Sequence, residues 1–206
     1  MILRTPDSSD RIVLHTCCAP CSSAIIEALM DNGITPVIFY SNSNIFPRQE
    51  YLVRKEECSR YALKRGLEII DDDYCHSDWL EGVKGLECEP ERGGRCLECF
   101  RFRLLRSARF AASRGISVFT TTLASSRWKS LEQINTAGAW AASQVEGTVF
   151  WDQNWRKGGL QERRNALLKE NGFYNQLYCG CEFSISSGNA QSAEGNPCRK
   201  TALQAQ

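Results

Sequence analysis

Short apolar strand patterns alternate with helical ones along the first third of the chain, joined by connections of a few residues, and few folds accept that order. Residues 11–16 carry Ile12-Val13-Leu14, residues 22–31 carry Ala24, Ile25, Ala28 and Leu29 as one helical stripe stopped by Gly33, and Thr35–Tyr40 reads as a second strand. Ser41-Asn42-Ser43-Asn44 is a turn cluster. Pro47 suits the first position of a long charged helix that ends at Gly66, and residues 67–70 form a third strand. Parallel strands need helical crossovers, so this order predicts an α/β fold: an open, mostly parallel Rossmann-like sheet with helices on both faces.

The remainder continues the alternation. Residues 79–86 read as a short helix and 87–94 as a charged loop, after which Cys96 opens a helix reaching Arg114. Residues 117–121 form a fourth strand running into Thr120-Thr121-Thr122, and Ser130 with Gln133 fits the N-terminal cap of a helix reaching Gln144. A fifth strand is expected over 148–151 and a last helix over 160–169. Beyond 185 the chain is Ser, Gly, Asn, Gln and Ala with few apolar residues. Residues 1–185 are therefore expected to form a single catalytic α/β domain and 186–206 a disordered C-terminal tail.

The chemistry lies in the cysteines. Cys17, Cys18 and Cys21 fall on the first strand-to-helix turn, which faces the ligand crevice in open α/β folds. Cys96 and Cys99, at i and i+3, share one face of a helix start whose positive end favours thiolate. Cys179-Gly180-Cys181 forms a third group. Four thiolates from the first two groups suit either an iron–sulfur cluster or a structural zinc. Adjacent Cys17 and Cys18 favour the cluster, since neighbouring thiolates share one tetrahedral ion poorly. The Cys-Gly-Cys pair reads either as a strained, reducible disulfide that passes two electrons or as two further ligands. Asp71-Asp72-Asp73 reads either as a solvated loop or as a source of a carboxylate ligand.

Eleven cysteines with no charged and apolar leader point to a reducing, cytoplasmic setting rather than a disulfide framework. No apolar run approaches the roughly 20 residues that span a bilayer, so no membrane partner is expected. Lys+Arg of 25 against Asp+Glu of 24 gives no global attraction to polyanions. Local clustering does: residues 95–114 carry six arginines and one acid, Glu98, readable as a solvated face or a phosphate-contacting stripe.

Five motifs in order resemble the cobalamin-independent epoxyqueuosine reductases of the QueH type. They are Leu14-His15-Thr16-Cys17-Cys18-Ala19-Pro20-Cys21-Ser22; Asn44-Ile45-Phe46-Pro47 with Glu50-Tyr51; Arg95-Cys96-Leu97-Glu98-Cys99-Phe100 with Arg103-Leu104; Phe119-Thr120-Thr121-Thr122-Leu123; and Tyr178-Cys179-Gly180-Cys181-Glu182-Phe183-Ser184. Departures are Ser126-Arg127-Trp128-Lys129 for the family's Ser-Pro-Tyr-Lys, and Asn154-Trp155-Arg156 for its Asp-Phe-Arg.

The resemblance implies a monomeric tRNA-modifying oxidoreductase that reduces epoxyqueuosine to queuosine at the wobble position. It implies Cys17, Cys18, Cys96 and Cys99 as ligands of a [4Fe-4S] cluster and Cys179 with Cys181 as a redox-active pair fed by an electron donor. A second, mononuclear iron is also implied, with Asp73 as the candidate carboxylate. His15 is the first candidate proton source, or else only orients a cysteine, and Tyr178 is the second candidate. Arg101, Arg103, Arg106, Trp155 and Arg156, with Trp128, are the expected contacts to an unpaired anticodon-loop base and its phosphates. Rival readings are a zinc-stabilised RNA-binding module without catalysis, or a PP-loop-type tRNA sulfur-transfer enzyme, although Cys17-Cys18-Ala19-Pro20 stands where that enzyme needs a phosphate loop.

Overall fold

The computed structural model describes residues 1–185, so the expected disordered tail lies outside the described residues. Five strands, β1 (Arg11–His15), β2 (Thr35–Tyr40), β3 (Ile69–Asp71), β4 (Val118–Thr121) and β5 (Val149–Phe150), form one parallel sheet in the order β3-β2-β1-β4-β5. Ile12, Val13 and Leu14 are fully buried, as a central strand covered on both faces requires. Helices α1 (Ala19–Asp31), α2 (Arg48–Lys64) and α6 (Leu160–Asn171) pack together on one face, and α4 (Gly94–Ser113) with α5 (Leu131–Ser143) on the other; the short α3 (His76–Gly82) leans on α4.

Strand order reverses between β1 and β4, and ligand crevices in open α/β sheets open outside the carboxyl ends of strands at such a point. His15, the last residue of β1, pairs in register with Thr121, the last of β4. The cysteine turn and the threonine run therefore leave the sheet side by side.

Several boundaries differ from expectation, among them the starts of α4 at Gly94 and of β3 at Ile69, and three features have a local reason. Helix α1 starts at Ala19, because Pro20 is tolerated in a first turn whose N–H groups have no helical partner, so Cys21 lies inside the helix. Helix α3 starts at His76, where the imidazole stacks on Trp79 at 5.4 Å between ring centres. A 3-10 turn, Thr122–Ser125, follows β4, capped by the Thr121 hydroxyl. The Ser130 cap is as expected, its hydroxyl accepting from the Gln133 N–H at 3.2 Å.

Helix α5 approaches β5 closely through Gly138. A methyl group there would lie 2.3 Å from the Phe150 ring. Gly138→Ala should destabilise the protein by about 1–3 kcal/mol through overpacking, even though alanine is the better helix former by roughly 1 kcal/mol. Urea denaturation measures the sign; a stabilised variant would show that Phe150 yields freely.

Candidate functional site

The carboxyl edge of the sheet is organised by buried hydrogen bonds. His15 is fully buried, and its Nε2–H donates to the Ser41 carbonyl at 3.0 Å. A carbonyl only accepts, so Nδ1 is the ring acceptor and takes the Thr121 hydroxyl proton at 2.7 Å. Thr121 in turn accepts from the Leu123 N–H at 3.1 Å. Arg103, on the buried face of α4, also donates to the Ser41 carbonyl, at 3.3 Å, and to Asn42 Oδ1. Asn42 closes the circuit by donating to the Thr16 carbonyl at 2.8 Å.

Burial, aided by the Arg103 charge, pushes the His15 pKa down to about 3, so the ring is neutral. Both its nitrogens are committed to the fold and it does not line the cleft described below. This arrangement fits the orienting alternative, in which His15 fixes the cysteine turn, better than a proton source.

On that turn Cys17, Cys18 and Cys21 place their sulfur atoms within 4.8 Å of one another. Cys18 occupies the N-cap position of α1, and Cys17 Sγ is 3.8 Å from Cys18 Sγ. Hydrogen bonds from Cys18 and Cys21, with help from Lys129 and Arg103, hold Cys17 well below the ordinary thiol range. Cys18 is driven up by burial, and Cys21, bonded to Cys17, is pushed up to about 12. Thr122 Oγ1 lies 3.5 Å from Cys17 Sγ, and Gln176 Nε2 donates to Cys18 Sγ at 3.0 Å. The set fits a soft metal or a cluster, since it offers several thiol sulfurs at once. Adjacency no longer separates the two: 3.8 Å between sulfurs also matches two ligands of one tetrahedral ion with bonds of about 2.3 Å.

A cleft of about 850 Å³ opens beside these thiols. Cys17, Cys21, Cys96, Cys179 and Cys181 all line it. Cys99 does not; it is buried against Trp79, Val83 and Cys181. The helix start does not favour thiolate at Cys96 and Cys99 as expected, because burial raises the pKa of both. Asp73 is exposed and lines a second cleft beside Asp71, Asp72, Arg106 and Arg109 rather than the cleft that the cysteines line.

Cys179 is exposed and Cys181 buried, each a free thiol. Gly180 between them has φ +121°, a conformation that side chains resist, and its carbonyl accepts from the Phe46 N–H at 2.8 Å. Buried Arg54, bonded to Glu50 at 2.7 Å, donates to the carbonyls of Tyr178 at 3.2 Å and Cys179 at 3.4 Å. The Tyr178 hydroxyl donates to the Phe46 carbonyl, and burial pushes its pKa up to about 12. Burial and the neighbouring Cys179 push Cys181 up to about 12.

The expected RNA contacts divide. Arg103 and Trp155 are buried. Arg101 pairs with Glu98 at 2.7 Å, and Arg106 pairs with Asp72. Arg156 donates to the carbonyls of Ser126 at 2.6 Å and Lys129 at 2.8 Å. Trp128 lines the cleft and is exposed, and the cations lining it are instead Arg54, Arg92, Arg127, Lys129 and Arg164 beside Arg95 and Arg103. Burial works against the Lys129 ammonium, but the charges of Cys179, Cys17 and Cys21 outweigh it and hold its pKa above the lysine range. Sequence reasoning missed Arg54, Lys129 and Gln176. The signal for Arg54 is an arginine on the helical stripe Tyr51, Arg54, Cys58, Tyr61, where an apolar residue belongs.

His76 ties the Cys-Gly-Cys segment down from α3. Its Nδ1 donates to the Ser43 carbonyl at 2.7 Å and its Nε2 to Glu182 at 3.1 Å, which needs both nitrogens protonated. Burial lowers its pKa, but the Glu182 carboxylate and the Ser43 carbonyl outweigh this and raise it above 6.5. A raised folded pKa stabilises fully below the unfolded value and is lost as pH rises through the folded value. The melting-temperature difference between wild type and His76→Gln should therefore shrink from about pH 6 to about pH 9; a constant difference would show that His76 is neutral.

The family model described as "Epoxyqueuosine reductase QueH" matches residues 12–187. The chain is 45% identical over 187 residues to epoxyqueuosine reductase QueH of Haemophilus influenzae, covering 91% of this chain and 76% of that protein. It is 46% identical to the protein of the same description from Acinetobacter baylyi, covering 91% and 86%, and 34% identical to that from Thermotoga maritima, covering 89% and 94%. With the family's match running across the sheet, the thiol turn and the Cys-Gly-Cys segment, the chain belongs to the epoxyqueuosine reductase QueH family.

Proposed function

We propose that this chain reduces epoxyqueuosine to queuosine at the wobble position of tRNA, acting as a cytoplasmic monomer and drawing two electrons from an external donor. The observation that carries the reading is the group of three thiols at the switch point, two of which, Cys17 and Cys21, line a cleft with further thiols and basic side chains, in a chain of this family.

Cys17, Cys18, Cys96 and Cys99 would hold a [4Fe-4S] cluster, with Cys21 as a fifth sulfur available to a neighbouring iron. Five thiols exceed what a single four-thiolate site takes, which suits a cluster with a neighbouring iron better than one closed zinc site. When bound, the cluster supplies electrons one at a time for cleavage of an epoxide C–O bond. Removal of the oxygen as water takes two electrons and two protons, and oxidation of the Cys179 and Cys181 thiols to a disulfide releases both. Cys179 is the thiol an outside reductant reaches; Cys181, packed against Cys99, is the inner one. The uncommitted protons of Lys129, set among Cys17, Cys21 and Cys179, face the cleft where the epoxide must lie. The excess of basic side chains lining the cleft suits the phosphates of an RNA loop.

Incubating anaerobically reconstituted protein with epoxyqueuosine-containing tRNA and a dithiol should remove the mass of one oxygen from the modified nucleoside; an unchanged mass would overturn the reading. In the same assay Cys181→Ser should slow turnover by about tenfold or more while iron and sulfide content stay at wild-type levels. An unchanged rate would show that the pair is structural.

A further inference from the structure

The loop from Ser126 to Lys129 is pinned by two arginines that reach it from different parts of the chain. Four successive carbonyls are taken: Arg156 donates to Ser126 at 2.6 Å and to Lys129 at 2.8 Å, and Arg92 donates to Arg127 at 3.2 Å and Trp128 at 3.0 Å. Gln133 holds the Arg92 carbonyl at 2.8 Å, and the Trp128 N–H donates to Ser126 Oγ at 3.3 Å. Backbone so fully bonded has lost most of its freedom. Yet the side chain it presents most openly is an indole: Trp128 is 80% exposed, among the most exposed large apolar residues of the described chain.

An exposed apolar residue on a free loop needs no explanation. A tryptophan held rigidly in water at the mouth of a cleft is different, because the ordering that would normally oppose binding has already been met by the fold. The surroundings fix the partner's charge. Seven basic side chains line the cleft against one acid, Glu91. A flat, π-rich, sequence-tolerant surface beside a cationic track is the arrangement that binds unpaired nucleobases on a phosphate backbone.

We propose that Trp128 is a stacking platform for an unpaired nucleobase of the RNA, a neighbour of the reacting nucleoside rather than that nucleoside itself. The reacting group must reach the thiols inside the cleft, whereas Trp128 stands at its rim. This rests on the proposed RNA substrate but not on the reduction, so binding alone tests it.

The test is affinity of the whole protein for a fluorescent anticodon stem-loop RNA, unmodified, and for the same RNA made abasic in turn at each nucleotide flanking the wobble position. Trp128→Ala should weaken binding to the intact loop by about tenfold, and Trp128→Phe, which keeps a ring, by less than about threefold. Removing the stacked base should weaken wild type by a similar factor and leave Trp128→Ala unchanged. Equal affinities of wild type and Trp128→Ala would overturn the proposal, as would a loss that persists undiminished on every abasic RNA. The exposed side chain should leave the melting temperature unchanged on substitution, which separates lost stacking from lost folding. Tenfold weaker binding by Trp128→Ala in a protein that fails to reduce epoxyqueuosine would retain the platform and reject the reductase.

Discussion

One backbone carbonyl ties the site together. The Ser41 carbonyl, just past β2, accepts from His15 at the end of β1 and from Arg103 in the middle of α4, and His15 passes the tie on to Thr121 at the end of β4. Three strand ends and one helix are thereby locked in a buried region. Each buried polar group left unsatisfied there would be destabilising by about 1–3 kcal/mol, so the circuit stands or falls together. The thiol turn leaves directly from this knot, and helix α4, which carries Cys96 and Cys99, is fixed to it through Arg103. The positions of two of the three cysteine groups around the cleft thus rest on neutral His15 and on Arg103.

Much of the fold was legible, because strand and helix periods are written in apolar residues. The five strands, the crossover helices and the place of the cysteine turn all follow from that pattern. Site roles were less legible, because sequence carries charge and spacing but not the direction a side chain takes. The arginines of residues 95–114 were read as one stripe, yet the helical period splits them: Arg95 and Arg103 share the buried face with Cys99, while Arg101 and Arg106 lie outside it in ion pairs. His15 looked like an acid because histidine titrates near neutrality; its pKa of about 3 depends on burial and on a charge from a helix far along the chain. The sequence puts Cys21 on the turn, whereas α1 begins at Ala19 and sets Cys21 inside the helix, its sulfur within 4.8 Å of those of Cys17 and Cys18.

The Cys-Gly-Cys segment shows the same division of labour between chemistry and support. Its reactive features, an exposed outer thiol and a buried inner one, are few. Its support is extensive: Arg54 from α2 holds two of its carbonyls, the Phe46 amide holds a third, and the His76–Glu182 pair secures its far end. A short link of high-φ glycine is kept in one arrangement by partners drawn from distant parts of the chain, a support that suits the redox pair proposed above.

The switch-point thiols are proposed to hold an iron–sulfur cluster. Iron and acid-labile sulfide analysis of anaerobically purified protein, beside Cys17→Ala, tests it directly. Brown wild-type protein is expected, with iron at least equal to labile sulfide, the excess being the neighbouring iron, and a variant that has lost most of both. Colourless protein carrying zinc, or a Cys17→Ala protein with an undiminished cluster, would contradict it.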